Sequence, residues 1–205
     1  MKSALRNAVY WLLLSVFLSA IGGGGTVWGQ KSKNARFVIK QGRLYGYINA
    51  SGRIVIKPQF RRALPFSGNL ALVKKGKLYG YIDRRGRMVI RPRYGLARGF
   101  SSGVAAVRVG RRWGYISGRG KIFIKPKFRA AGDFSNGLAP AFNGRLWGFI
   151  NTKGRFAIAP RFLNALRFSA GLAAVVDRRS RKWGFVNKRG KFVIPPKYAS
   201  ARPFS

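Results

Sequence analysis

From residue 37 onward, short apolar runs alternate with turn residues, and the pattern reads as β-structure throughout. Leu78-Tyr79-Gly80-Tyr81-Ile82 is a strand that carries two aromatics on one face, on either side of a glycine. Asp83-Arg84-Arg85-Gly86 follows as a tight turn, in which a short Asx side chain bonds the turn backbone and the glycine takes positive φ. Asn49 to Gly52, Ser117 to Gly120, Asn151 to Gly154 and Asn187 to Gly190 repeat that turn. A second strand, Arg87-Met88-Val89-Ile90, is predicted to end near Pro92, which cannot donate to a ladder. A third, Leu70-Ala71-Leu72-Val73, turns at Lys74 to Lys77 into the aromatic-glycine strand. Asn143-Gly144 marks the equivalent turn and favours a type I′ hairpin. Gly42, Gly76 and Gly110 occupy the same place, whereas Asp177 to Lys182 lacks the glycine and predicts a longer loop.

The pattern recurs five times. The aromatic-glycine pairs are Tyr45-Gly46, Tyr79-Gly80, Trp113-Gly114, Trp147-Gly148 and Trp183-Gly184, spaced by 34, 34, 34 and 36 residues. At fixed offsets follow a second glycine, a proline (Pro58, Pro92, Pro126, Pro160, Pro196) and a Phe-Ser pair. Such a period signifies a solenoid, a propeller or a comparable array. The expected fold is all-β: tandem 34-residue antiparallel β-meanders in five units, starting near residues 46, 80, 114, 148 and 184. The array is either a closed propeller-like ring or an open β-solenoid. Phe37 to Gly42 looks like the third strand of a unit whose beginning is missing, so it could complete the fifth unit and close the ring. The core is expected at Ile56, Ile90, Ile124, Ile158 and Ile194, and at Phe66, Phe100, Phe134, Phe168 and Phe204.

The string Trp147 to Asn151, with Gly154, Pro160 and Phe168 to Ala173, resembles the signature of the WG-repeat (KWG) family. The resemblance covers Arg36 to Ser205. It implies a non-catalytic, β-rich bacterial repeat module, often exported, and brings no catalytic residues. The chain departs from the family pattern in charge, because its repeats use Lys and Arg almost without Asp or Glu.

The first thirty residues differ from the rest. Lys2 and Arg6 form a short basic region, Ala8 to Ile21 carries no charge, and four glycines follow. This is the layout of a signal peptide over residues 1–30. Its rival is an uncleaved tether through residues 8–28, long enough to span a bilayer. Either route places residues 31–205 as a β domain outside the cytoplasm: secreted, periplasmic or associated with the cell envelope.

Composition narrows the chemistry. Among 205 residues there are 42 Lys and Arg, 3 acidic residues, no Cys and no His, for a formal net charge of +39. Disulfides, thiolate sites, imidazole catalysis and the commonest zinc sites are excluded. The carboxylates are Asp83, Asp133 and Asp177, and nothing in the sequence pairs them in a cleft. Asp83 takes a turn position held elsewhere by Asn or Ser, and the serines of the Phe-Ser pairs read as turn residues. No enzyme activity, cofactor or metal is expected.

Two recurrent sets remain as candidate sites. The aromatic pairs, such as Tyr79 with Tyr81 and Trp113 with Tyr115, are either a stacking face or packing over the glycine between them, and packing is the expectation. The basic residues recur in three registers. Arg53, Arg87, Lys121, Arg155 and Lys191 follow the second glycine. Arg43, Lys77, Arg111, Arg145 and Arg181 precede the aromatic-glycine pair. Arg93, Lys127, Arg161 and Lys197 follow the proline. A solvated face gains nothing from a single sign of charge and suffers self-repulsion. These positions therefore point to contact with a polyanion: an anionic glycan, lipid headgroups, extracellular nucleic acid or an acidic protein. The alternative is a structural or protein-protein scaffold with no such ligand.

Overall fold

The computed structural model describes residues 35–202. The leader or tether expected over residues 1–30 lies outside the described residues, as does Phe204. The described chain forms five antiparallel sheets, and no helix occurs among its residues. The first sheet has three strands, β1 (Phe37–Gln41), β2 (Leu44–Ile48) and β3 (Ile54–Phe60). The second has four, β4 (Arg62–Ala63), β5 (Ala71–Lys75), β6 (Leu78–Ile82) and β7 (Met88–Tyr94). The third comprises β8 (Leu96–Ser101), β9 (Val104–Val109), β10 (Arg112–Ser117) and β11 (Ile122–Phe128). The fourth comprises β12 (Ala130–Ala131), β13 (Ala139–Phe142), β14 (Trp147–Ile150) and β15 (Phe156–Phe162). The fifth comprises β16 (Asn164–Ala165), β17 (Ala173–Val176), β18 (Trp183–Val186) and β19 (Phe192–Tyr198).

Each sheet is a meander in sequence order, and it differs from the expected three-stranded unit in two respects. A short first strand lies inside what reads as a connection, so four of the sheets have four strands. The second strand of the expected unit also runs through its proline rather than ending there. The pairing explains why. In the third sheet Trp113 pairs with Phe128 and Tyr115 with Ile124, so Lys125, Pro126 and Lys127 bulge opposite Gly114. Proline's missing N–H costs nothing where no ladder bond is due. A Cβ on Gly114 would stand 2.5 Å from the Ile124 carbonyl oxygen and 2.8 Å from Pro126 N. The aromatic-glycine pair is thus required by the bulge: only glycine lets the neighbouring backbone approach so closely.

The turns follow the sequence with one exception. The Asx side chains of Asn49, Asp83, Asn151 and Asn187 accept from the N–H four residues on. The turn at Asn143 is not type I′, for Gly144 alone has positive φ there and the Asn143 side chain accepts from Arg145 and Leu146 N–H. Left-handed pairs occur instead at Asn136-Gly137, between the bridged residues Ser135 and Leu138. The irregular hairpin at Asp177 to Lys182 forms the expected longer loop, with Arg181 at positive φ.

Among the described residues there is no single central core. Four clusters lie between successive sheets, each joining large residues of one sheet to small residues of the next. Tyr115, Ile124 and Phe128 of the third sheet meet Ala131, Ala139 and Ala141 of the fourth. The other three joints are built alike. Ile56, Ile90, Ile124, Ile158, Phe134 and Phe168 are buried as expected. Phe66, Phe100 and Ile194 are only partly buried. No strand of the fifth sheet pairs with β1, so the sheets are not closed into a ring among the described residues.

Candidate functional site

The three basic registers lie at different places on the sheets. The strand β6 runs from the hairpin that holds Lys77 to the turn that precedes Arg87. Arg43, Lys77, Arg111, Arg145 and Arg181 therefore sit at one end of their strands, and Arg53, Arg87, Lys121, Arg155 and Lys191 at the other. All fourteen side chains, including Arg93, Lys127, Arg161 and Lys197, are exposed. Several also serve the fold. The Arg87 guanidinium holds Asp83 at 2.8 Å. Burial works against ionisation of Asp83, but bonds from the Arg87 and Arg85 N–H groups and the Arg87 side chain hold it below the usual carboxylate range. Arg93 Nη2 donates to the Gly120 carbonyl in the next sheet's turn at 3.0 Å, and Arg161 donates likewise to the Gly190 carbonyl. Arg93, Lys127, Arg161 and Lys197 each lie 5.1–5.5 Å from the centroid of the adjacent aromatic ring.

The structure gathers five basic residues in a recess beside the fifth sheet. A recess of about 720 Å³ is lined by Arg161, Phe162, Asp177, Arg178, Arg179, Arg189, Gly190, Lys191 and Phe192. It unites one residue from the proline register, Arg161, with one from the glycine register, Lys191. Arg178 and Arg179 were not apparent as site residues in the sequence, since neither recurs with the repeat and their signal was the two-residue insertion in the last hairpin; Arg189 does recur, as Arg85, Arg119 and Lys153, in a fourth basic register that the three candidate registers left out. Asp177 is the single acid of this recess. Its Oδ2 accepts from Arg179 N, Ser180 N and Ser180 Oγ, so it faces its own turn. The bond from Ser180 N–H leads the effects that hold its carboxyl below the usual range.

The aromatic pairs divide. Tyr47, Tyr81, Tyr115 and Phe149 are fully buried, which is the packing role. The three tyrosine hydroxyls donate to the carbonyls of Leu64, Arg98 and Gly132 at 2.7–2.8 Å, and burial pushes their ionisation up. Tyr45, Trp113, Trp147 and Trp183 are only half-buried. Tyr79 and Trp113 line a second recess of about 380 Å³, together with Arg62, Arg98 and Asp133.

A family model described as WG containing repeat matches residues 45–79, 79–112, 113–145, 147–177 and 183–205. No curated protein matches the chain in sequence. Among solved structures, the chain is similar to a streptogramin B lyase at 14% identity and TM-score 0.50, over 83% of this chain and 67% of that one. It is also similar to KlHsv2 carrying a Gly-Ser linker in place of loop 6CD, at 10% identity and TM-score 0.52, over 82% and 66% of the two chains. A Kluyvelomyces marxianus Hsv2 matches at 11% identity and TM-score 0.50, over 76% and 59%. The chain thus spans about two thirds or less of the length of these structures, and at such identities the likeness is one of fold alone.

Proposed function

The chain belongs to the WG-containing repeat family, and from that premise we propose that it is an exported, non-catalytic binding module for an anionic polymer or surface. The observation that carries the reading is the recess beside the fifth sheet, where Arg161, Arg178, Arg179, Arg189 and Lys191 surround one carboxylate already engaged by its own turn. Like charges so placed repel one another, and an anion relieves the repulsion. The exposed registers on the other sheets extend the same field, so a flexible polyanion touches several units at once and gains avidity without a tight single contact. The carboxylates support non-catalytic work. Asp83 and Asp177 are committed to turns, and Asp133 lies in a different recess.

The test is a set of binding isotherms for single-stranded DNA, polyphosphate and anionic vesicles at several salt concentrations. Affinity falls steeply with salt, because each neutralised phosphate releases counterions. Replacing Arg178, Arg179 and Lys191 together by Ala flattens the salt slope by roughly three phosphate contacts and leaves the fold intact. No binding to any polyanion at low salt overturns the reading and leaves the scaffold. The scaffold has an observation of its own in the contacts of Arg87, Arg93 and Arg161 with their own chain.

A further inference from the structure

In a repeat array the recurrent residues build the scaffold, and the residues that depart from the repeat carry whatever is particular to one place. Two departures, Arg62 and Asp133, and one arginine shared with a single other unit, Arg98, converge on the recess between the second and third sheets. Arg62 stands where other units have Leu96, Ala130 and Asn164. Arg98 stands where three units have Leu64, Gly132 and Leu166, and it recurs only as Arg202 in the fifth. Asp133 replaces Pro65 and Gly99 of the earlier units. All three line one recess of about 380 Å³, with Tyr79 and Trp113 as its rings and Leu64, Leu72 and Leu96 as its aliphatic walls. That volume lies within the range of small-ligand sites.

Arg98 is held from several sides. Its Nε donates to the Ala131 carbonyl at 3.1 Å, its backbone carbonyl accepts from Tyr81, and its guanidinium carbon lies 6.0 Å from the Trp113 ring centroid. Nearly half of its side chain remains exposed. Its Nη1 stands 3.8 Å from Asp133 Oδ2. Asp133 Oδ1 is buried and has no hydrogen-bond partner. A buried carboxylate oxygen without a donor is uncommon and is stabilised by any donor brought to it. Asp133 also borders a smaller recess of about 190 Å³, lined by Trp147 and Arg167 among others, so the same features continue past it.

We propose that this recess binds an acidic sugar ring of an anionic glycan. Two guanidiniums and one carboxylate leave a single positive charge, which matches one carboxylate per ring and not a dense run of phosphates. Of the two rings Tyr79 is buried, so the half-buried Trp113 indole offers the exposed flat apolar face, and leucines supply the aliphatic walls. A pyranose has one apolar face and a rim of hydroxyl donors, whereas a nucleobase gains most between two ring faces. The hydroxyl rim donates to the accessible side of the Asp133 carboxylate, whose side chain is 30% exposed. The inference rests on the reading of the chain as a module for anionic polymers and narrows it at one place.

The experiment titrates the full chain with a hexamer of α-1,4-linked galacturonic acid, and with neutral maltohexaose, oligothymidylate and polyphosphate for comparison. Tryptophan fluorescence and calorimetry are the readouts. The uronate hexamer binds and maltohexaose does not. Trp113→Ala weakens the uronate by about tenfold, Trp113→Phe keeps most of the affinity, and Arg98→Gln weakens it without altering polyphosphate binding. Wild-type affinity for the uronate in Trp113→Ala overturns the inference, as does a stronger Trp113-dependent complex with oligothymidylate. If polyphosphate binds and the uronate does not, the inference falls and the polyanion reading stands. If nothing anionic binds at low salt, both fall. Should Trp113→Ala not fold, Arg98→Gln decides the matter: weakened uronate binding with polyphosphate binding unchanged supports the inference, and wild-type affinity for the uronate overturns it.

Discussion

The joint between the third and fourth sheets and the outer face of the fifth sheet present the same kinds of residue in different states. Ile124 and Phe128 are 4% and 3% exposed, while Tyr198, the counterpart of Phe128, is 42% exposed and Ile194 is only partly buried. Within the sheets the two regions match. Trp113 pairs with Phe128 as Trp183 pairs with Tyr198, and both strand pairs carry the same bulge. The difference arises outside the sheet. Ala131, Ala139 and Ala141 of the fourth sheet cover Ile124 and Phe128. The Gly154 turn also presses on Ile124, where an added Cβ would lie 2.7 Å from Cγ2. No described sheet does the same for Ile194. Folding of each unit therefore depends on two separable things: a bulge made locally and a seal supplied by the next unit.

The largest expected effect breaks what the two regions share. Gly114→Ala drives a Cβ into the backbone of Ile124 and Pro126, and Gly184→Ala does so against Ile194 and Pro196. Backbone cannot step aside as a side chain can, so each change costs about 3 kcal/mol or more. Denaturant melts of the two variants should be similarly damaged. A benign Gly184→Ala beside a ruinous Gly114→Ala would show that the bulge is not local.

The second prediction separates the regions. Ile124→Ala removes a sealed side chain and costs about 2–5 kcal/mol. Ile194→Ala removes a partly exposed one and costs about 1 kcal/mol. Lys121→Ala, three residues from Ile124 and exposed, stays within about 0.5 kcal/mol of wild type. Equal losses for the two isoleucines would mean that the seal comes from their own sheets.

A third pair tests the seal from the other side. Gly154→Ala and Gly52→Ala share a left-handed backbone, with φ 73° and 80°, so both carry the same conformational strain. Gly52 has no neighbour within 4 Å of an added Cβ, whereas Gly154 meets Ile124. Gly154→Ala should be worse by about 1–2 kcal/mol, the cost of overpacking a joint. Similar melting points for the two would remove the turn from the seal.

The sequence carried the local half of this architecture and little of the other half. Period, turns and the aromatic-glycine strand are written in residues a few positions apart, where alternation and Asx or Gly signals are strong. The two-residue strands such as Ala130–Ala131 are too short to alternate, so they read as connection. Pro92 reads as a strand end because a bulge that excuses its missing N–H is visible only from the pairing. The division of the aromatics in the first, third and fourth units depends on the neighbouring sheet, whereas Tyr79 and Tyr81 are both buried and Trp183 and Phe185 both partly buried. Tyr115 and Trp113 are equivalent in the sequence pattern, and only the joint makes one core and the other wall. The recesses escaped for a related reason. Their distinctive residues, Arg62 and Asp133 or Arg178 and Arg179, break the repeat that made everything else legible.

The smallest effect concerns the acids of the two regions, which titrate in opposite directions. Burial raises the Asp133 carboxyl above its ordinary value, against the pull of Arg98 and Arg167. The native state therefore binds this proton more tightly than the unfolded chain does, and stability falls as pH rises through a window that opens upward from 3.8. Asp177, with Ser180 donating to it, is held below the ordinary value, so its contribution is present at neutral pH and is lost as pH falls below 3.8. Asp133→Asn removes the cost of ionising a buried group. It should raise Tm at pH 7 by about 1–3 °C, with the gain vanishing under acid conditions. Asp177→Asn keeps an acceptor for the turn but loses the charge that the turn's N–H groups favour, so its Tm should fall slightly at pH 7 and meet wild type at low pH. Thermal melts of both variants from pH 3 to pH 7 decide the matter. If the two curves depart from wild type in the same direction, Asp133 is not held in a drier place than Asp177, and the recess it borders is open water.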